Sequence, residues 1–170
     1  MYGQHYLLGE QMRYFKVISI LQPNQVFVFT SNGSGFHGAG SAAFAMFGRS
    51  DNCWREMGLG KMPDGTPGLY AIKGCARGFQ KGTSGKSYAI QTVIRPGAKR
   101  SISKEELIKQ IKDLYVYTKF HPDWDFLIAG SPLNKAGLSG YSGQEMKDLY
   151  LSLSVPENVL FPESWNSESK

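Results

Sequence analysis

Apolar and polar residues alternate through Arg13 to Ile20 (RYFKVISI), the period of a half-buried strand. After the break at Pro23-Asn24, Gln25 to Thr30 (QVFVFT) is apolar on both faces, which predicts a central strand buried on both sides. The glycine-rich stretch Asn32 to Gly40 follows, and then SAAFAMFG, an alanine-rich run without a breaker until Gly48. This order reads as strand, tight loop, helix. Residues 49–85 show little periodicity beyond a short candidate strand at Leu69 to Lys73, whereas Ser87 to Ile94 (SYAIQTVI) is a strong strand pattern. Ser103 to Phe120 opens with a capping-box pattern, Ser103 followed by Glu106, and carries Leu107, Ile108, Ile111, Leu114 and Tyr115 at helical spacing. His121-Pro122 ends it. Trp124 to Ala129 predicts a buried strand, Gly130 to Gly143 a second glycine-bearing loop, Gln144 to Leu153 a short helix and Asn158 to Phe161 a last strand. Strands alternating with helices predict an α/β layered domain with a mixed or parallel sheet.

At 170 residues the chain is expected to form one domain, with residues 1–20 as an N-terminal extension and 166–170 as a polar, flexible tail. Hydrophobic residues at 41% against 19% charged exclude a wholly disordered chain. No apolar run approaches the 18 or more residues of a membrane span, and the N-terminus lacks the pattern of a secretory signal. Cys53 and Cys75 make neither a disulfide framework nor a zinc site, and no metal-ligand spacing or cofactor motif is recognisable, so no metal and no cofactor are expected. The expectation is a reduced, cytoplasmic protein without a membrane partner. The net charge of +5 suits an anionic partner without identifying it.

Two glycine motifs raise the question of phosphates. Gly33-Ser-Gly-Phe-His-Gly38 matches G-x-G-x-x-G between a strand and a helix, where free N–H groups at the helix start favour negative charge. A dinucleotide fold needs a second strand ending in a ribose-binding acid about 20 residues on. Arg49 to Glu56 is no strand, so that fold is not supported. Gly82-Thr-Ser-Gly-Lys-Ser87 suggests a phosphate loop, but Gln80 stands where its first glycine belongs and the strand follows it, so a nucleotide triphosphatase is not supported either.

Val26 to Gly48 resembles the first ligand loop of the macro-domain superfamily, most closely its small phage and bacterial branch. The residues are Phe29-Thr30-Ser31-Asn32 and His37-Gly38-Ala39-Gly40-Ser41-Ala42. Gly85-Lys-Ser-Tyr-Ala-Ile90, Phe126-Leu-Ile, Gly137-Leu-Ser-Gly-Tyr141 and Phe161-Pro-Glu-Ser-Trp165 follow in the order of that branch, so the resemblance spans roughly 26–165. The sequence departs from the pattern at Gln91, where the branch has proline, and at Lys135-Ala136, where it has Gly-Cys.

The resemblance implies a three-layer α/β/α sandwich with a mixed central sheet, binding ADP-ribose or a relative in a cleft at the strand ends. The implied ligand-binding residues are Ser31, Asn32, Gly33, Gly35, Phe36, His37, Gly38, Ala39, Gly40 and Ser41 in the first loop. Gly137, Leu138, Ser139, Gly140 and Tyr141 form the second set. It further implies hydrolysis of an ADP-ribosyl or ADP-ribose-phosphate linkage, with Asn32 orienting a water or ribose hydroxyl and His37 assisting proton transfer. The alternative is a non-catalytic binder that reads or sequesters an ADP-ribose-type signal or an ADP-ribosylated target, in a phage setting within the host cytoplasm. Plainer readings stand beside these: Asn32 as an Asx-turn residue, His37 as a loop anchor, Phe36 and Tyr141 as rings stacking on a base or a ribose. His5 and His121 read as residues without partners. Arg95 to Arg100 with Lys104 is the densest basic cluster, for which a solvated linker is the stronger reading and a nucleic-acid contact the weaker.

Overall fold

A computed structural model describes residues 6–7, 12–16, 20–37, 40–47, 74–82 and 85–166. The candidate strand at 69–73, the end of the 13–20 strand at 17–19, Gly38, Ala39, Cys53 and the tail beyond Asn166 lie outside these residues. In chain order the elements are β1 (Tyr6–Leu7), β2 (Arg13–Phe15), β3 (Gln25–Asn32), α1 (Gly40–Phe47), β4 (Gly78–Gly82) and β5 (Gly85–Val93). They continue with α2 (Lys104–Lys119), β6 (Asp125–Ile128), α3 (Gly143–Leu151), β7 (Val155–Pro156) and β8 (Val159–Pro162). The α/β class and the mixed sheet hold: six strands run in the order β2-β8-β6-β3-β5-β4, with β4 antiparallel at one edge and the other neighbours parallel.

β3 is the double-sided strand that its composition predicts, with Val26 to Phe29 all buried. Val26 and Val28 join the cluster formed with Leu107, Ile111 and Leu114 of α2 and Met146 and Leu149 of α3. Phe27 and Phe29 join the other cluster, with Ala42, Phe44 and Ala45 of α1, where the Phe27 and Phe44 rings meet edge to face at 4.8 Å. The alanines of α1 keep that helix near the strands. α2 buries Leu107, Gln110, Ile111, Leu114, Tyr115 and Thr118, a stripe at helical spacing.

The capping pattern at the start of α2 is half realised. Ser103 Oγ accepts from Glu106 N–H at 3.1 Å, but the Glu106 carboxylate turns to Arg77 at 2.8 Å. The complete reciprocal box is at α3, between Ser142 and Glu145. The described residues of the Gly-Thr-Ser-Gly-Lys-Ser stretch, Gly82 and 85–87, belong to an antiparallel pairing, with Lys81 opposite Lys86 and Gly82 opposite Gly85, and a strand, not a helix, follows Gly85. Nor is His121 alone: its ring stacks on Trp124 at 4.0 Å.

The end of α2 is fastened to the sheet by one amide. Asn158 is buried, and its Nδ2 lies 3.1 Å from the carbonyl oxygens of Thr118, His121 and Trp124. Replacing Asn158 with alanine removes the only donor to Trp124 O among the described residues and a second donor from Thr118 O and His121 O, and we expect a loss of about 1–3 kcal/mol in stability. Urea unfolding, with an unchanged slope and a lower midpoint, is the measurement.

Candidate functional site

β3 and β6 are adjacent and parallel, yet their onward connections part. The chain leaves β3 through α1 and β4 to reach β5 on one side, and leaves β6 through α3 and β7 to reach β8 on the other. Such a divergence opens a crevice at the carboxyl ends of the two strands, the usual ligand position in open α/β sheets. The first glycine loop leaves β3 and the second leaves β6, so the fold brings both sequence-predicted loops to one edge.

The first loop is held by Asn32. Its Oδ1 accepts from the N–H groups of Ser34 (3.1 Å) and Phe36 (3.2 Å), and its Nδ2 donates to Phe36 O (3.0 Å). Gly33 N–H donates to Val93 O and Gly35 N–H to Asn32 O, each at 3.0 Å. The N–H groups of 33–36 are therefore spent inside the protein. Donors for an anion must come from further along, where the first turn of α1 leaves N–H groups without partners in the helix. Ser41 Oγ sits 3.4 Å from both Thr30 N and Thr30 Oγ1, tying this turn back to β3. Ser31 is buried and its hydroxyl donates to Ala76 O. Phe36 is 43% exposed.

His37 is wholly buried, edge to face with Phe29 at 5.0 Å. Its protonation state follows from its neighbours. Cys75 N–H donates to Gln80 Oε1 at 2.6 Å, so the Gln80 amide presents its NH₂ end to His37 Nε2, 3.0 Å away. Nε2 is then the acceptor, the proton is on Nδ1 and the ring is neutral. Burial pulls its pKa below the ordinary 6.5, outweighing the Phe36 backbone and the Gln80 side chain, which act in the opposite direction. Nδ1 has no hydrogen-bond partner among the described residues. Gly74 completes the enclosure, because a Cβ there would stand 2.3 Å from His37 Nε2. Gln80, Gly74 and Cys75 are site residues that the sequence reading did not single out; a histidine directly after a glycine turn gives no local sign of what will cover it.

The second loop is cross-linked as well. Tyr141 is buried, its hydroxyl donates to Ile102 O at 2.7 Å and the Arg100 guanidinium lies 4.3 Å over its ring. That face is thus taken by Arg100. Ser139 Oγ accepts from Tyr141 N–H at 3.1 Å, and Gly140 N–H donates to Gly137 O at 3.0 Å. Leu138 is 74% exposed, and the successive N–H groups of Leu138 and Ser139 make no hydrogen bond among the described residues. Consecutive unpaired amides of this kind are anion donors.

The 95–104 segment is, as read, a largely exposed link between β5 and α2, but Arg100 and Lys104 within it are not merely solvated. Arg100 adopts a left-handed backbone (φ 56°), donates its N–H to Ser139 O at 2.6 Å and places both guanidinium nitrogens on Glu145 at 3.1 and 3.2 Å. Lys104 Nζ reaches the same carboxylate at 3.1 Å. The backbone turn after β5 is thereby fixed to the second loop and to α3. Among the described residues, no group of three or more His, Cys, Asp or Glu side chains is placed to hold a metal ion, and no helix is long and apolar enough to cross a membrane. No protein-family model matches the chain, and no curated protein matches it significantly.

Two acid-sensitive groups follow from this geometry. The hydrogen bond from Arg100, then that from Ser142 N–H, holds the Glu145 carboxyl at about 2. A depressed folded pKa contributes stability above the ordinary value of 4.5 that is lost as pH falls toward 2. His37 binds a proton in the unfolded chain below 6.5 but resists it when buried, so it lowers stability below that pH. Glu145→Gln should therefore melt below the parent protein at pH 7, with the difference closing as pH approaches 2. Thermal melts between pH 2 and 7 read this out, and a gap independent of pH would contradict it.

Proposed function

We propose that the chain is a macro-domain-like three-layer α/β/α sandwich that binds ADP-ribose, or a related diphosphate nucleotide, in the crevice between β3 and β6. Support for the layering comes from α1 on one face of the sheet and α2 and α3 on the other. The observation that carries the ligand class is the meeting of two glycine loops at the carboxyl ends of adjacent parallel strands, one leading into α1 and the other offering the Leu138 and Ser139 N–H groups. A diphosphate is an anion that backbone N–H groups and a helix start can hold without a dedicated lysine or arginine. Phe36, exposed on the first loop, is the ring available to an adenine or a ribose.

Between the binder and the hydrolase, the hydrogen bonds of Asn32 and His37 favour the binder. Three contacts commit the Asn32 amide to its own loop, and the His37 ring is buried with Nε2 facing Gln80. Hydrolysis requires one of them to give up these contacts to reach a water or a ribose hydroxyl. Asn32 on this reading shapes the loop, and His37 supports it from beneath.

A thermal-shift titration tests the proposal. ADP-ribose should raise the melting temperature, and at about 100 times its Kd should add about 2.7 kcal/mol of stability, while AMP and ribose-5-phosphate should give no comparable shift. Asn32→Ala should weaken ADP-ribose at least about tenfold, or about 1.4 kcal/mol. Incubation of the parent protein with ADP-ribose-1″-phosphate or an ADP-ribosylated peptide should release no product. Absence of any ADP-ribose shift would overturn the ligand class, and product release lost in Asn32→Ala would overturn the binder in favour of the hydrolase.

A further inference from the structure

The crevice has a rim whose charge exceeds what two amide-lined loops need. The described loop residues after β3, β5 and β6 and before β4, namely 33–37, 94–103, 129–142 and 74–77, contain no aspartate or glutamate and carry Arg77, Arg95, Lys99, Arg100 and Lys135; the exposed Glu163, directly after β8, is a carboxylate at the same edge. Of the carboxylates that open the next helices, Glu106 pairs with Arg77, Glu145 pairs with Arg100 and Lys104, and Glu105 has no ion pair among the described residues. Arg95, Lys99 and Lys135 are exposed and make no ion pair among the described residues.

The same rim exposes apolar side chains. Phe36 is 43% exposed, Ile94 46% and Leu138 74%. They are joined through backbone. Gly33 N–H bonds Val93 O, beside Ile94; Ile94 N–H bonds Ser101 Oγ at 2.9 Å; and Arg100 N–H bonds Ser139 O, beside Leu138. First loop, basic turn and second loop are thus linked into one border that carries both unpaired cations and exposed apolar or aromatic side chains.

We propose that this border binds single-stranded nucleic acid, with Arg95, Lys99 and Lys135 on phosphates and Phe36, Ile94 and Leu138 against unstacked bases. A single strand offers both charge and flat apolar faces. A duplex offers phosphates but keeps its bases stacked, and an acidic polypeptide offers charge without a stacking face. The proposal goes beyond the nucleotide crevice; it shares Phe36 and Leu138 with that reading, but its cations lie outside the amides that the diphosphate would use.

The test is fluorescence anisotropy with a labelled 12-nucleotide single strand at 50 and 200 mM salt. Three phosphate contacts give a slope near −2 in log affinity against log salt, or roughly twentyfold weaker binding over that range. Arg95→Glu with Lys99→Glu should weaken binding at least about tenfold at 50 mM and flatten the slope to about −1 or less. Lys112→Glu with Lys119→Glu, an equal charge change on the exposed face of α2, should leave binding within twofold. Melting curves establish that both variants fold, and an unchanged ADP-ribose shift in the rim variant separates this proposal from the crevice reading. No binding at 50 mM, equal loss in the two variants, or equal affinity for duplex or polyglutamate would each overturn it.

Discussion

A parallel strand buried on both faces constrains everything around it, and β3 is such a strand. Its N–H and C=O groups are satisfied by β5 on one side and β6 on the other, so neither face nor edge meets water between Val26 and Phe29. Both faces must therefore be covered by helices, and the cover has to arrive through crossover connections. One crossover leaves toward β5 and the other, from β6, toward β8. The gap between them at the carboxyl ends is a by-product of this topology, and it is where the flexible, glycine-bearing residues of the sequence are concentrated.

At that gap polar side chains brace the described loop residues in place of regular secondary structure. Asn32 replaces the ladder that β3 no longer has, Ser139 closes the second loop on Tyr141, and Arg100 ties the turn after β5 to the second loop with its backbone and guanidinium. Each arrangement spends donors that a ligand would otherwise receive, which narrows the amides left for an anion to a few positions. A site arranged this way has little loop entropy to lose on binding, and specificity comes from which amides remain unpaired.

The central strands and the long helix were legible because burial imposed their pattern: two-sided for β3, helical for α2. β4 was not, for a physical reason. In Gly78–Gly82 the apolar Phe79 points outward and the polar Gln80 points inward, the reverse of an ordinary edge strand, because Gln80 has His37 to meet and Phe79 stacks on Tyr117 and Trp124. Arg100 was equally hidden. Its partner Glu145 is 45 residues away, and only the parallel placement of β5 and β6 brings them together. The reciprocal cap Ser142–Glu145 was readable in principle, since its spacing is that of Ser103 and Glu106, but it lay within a stretch dominated by glycine. Of the candidate site, the two loops and their common edge followed from sequence; the cover over His37 did not.

Gln91 shows how one residue of a central strand ties the crevice to the packing behind it. Its N–H is received by a buried partner. Gln91 N–H donates to Gln110 Oε1 at 2.7 Å, and Gln110 Nε2 donates back to Gln91 O at 2.8 Å. The Gln91 side chain then accepts from Arg77 Nε at 2.7 Å, and Arg77 in turn takes Glu106 away from its capping role. One residue in β5 is therefore linked to the start of α2 and to the segment that covers His37. Replacing Gln91 alone by proline would remove a donor that Gln110 needs in a buried setting, where an unpaired amide oxygen is costly. Residues at the crevice and the packing behind it are thereby coupled, so a change at Gln91 has to be matched at Gln110 and Arg77.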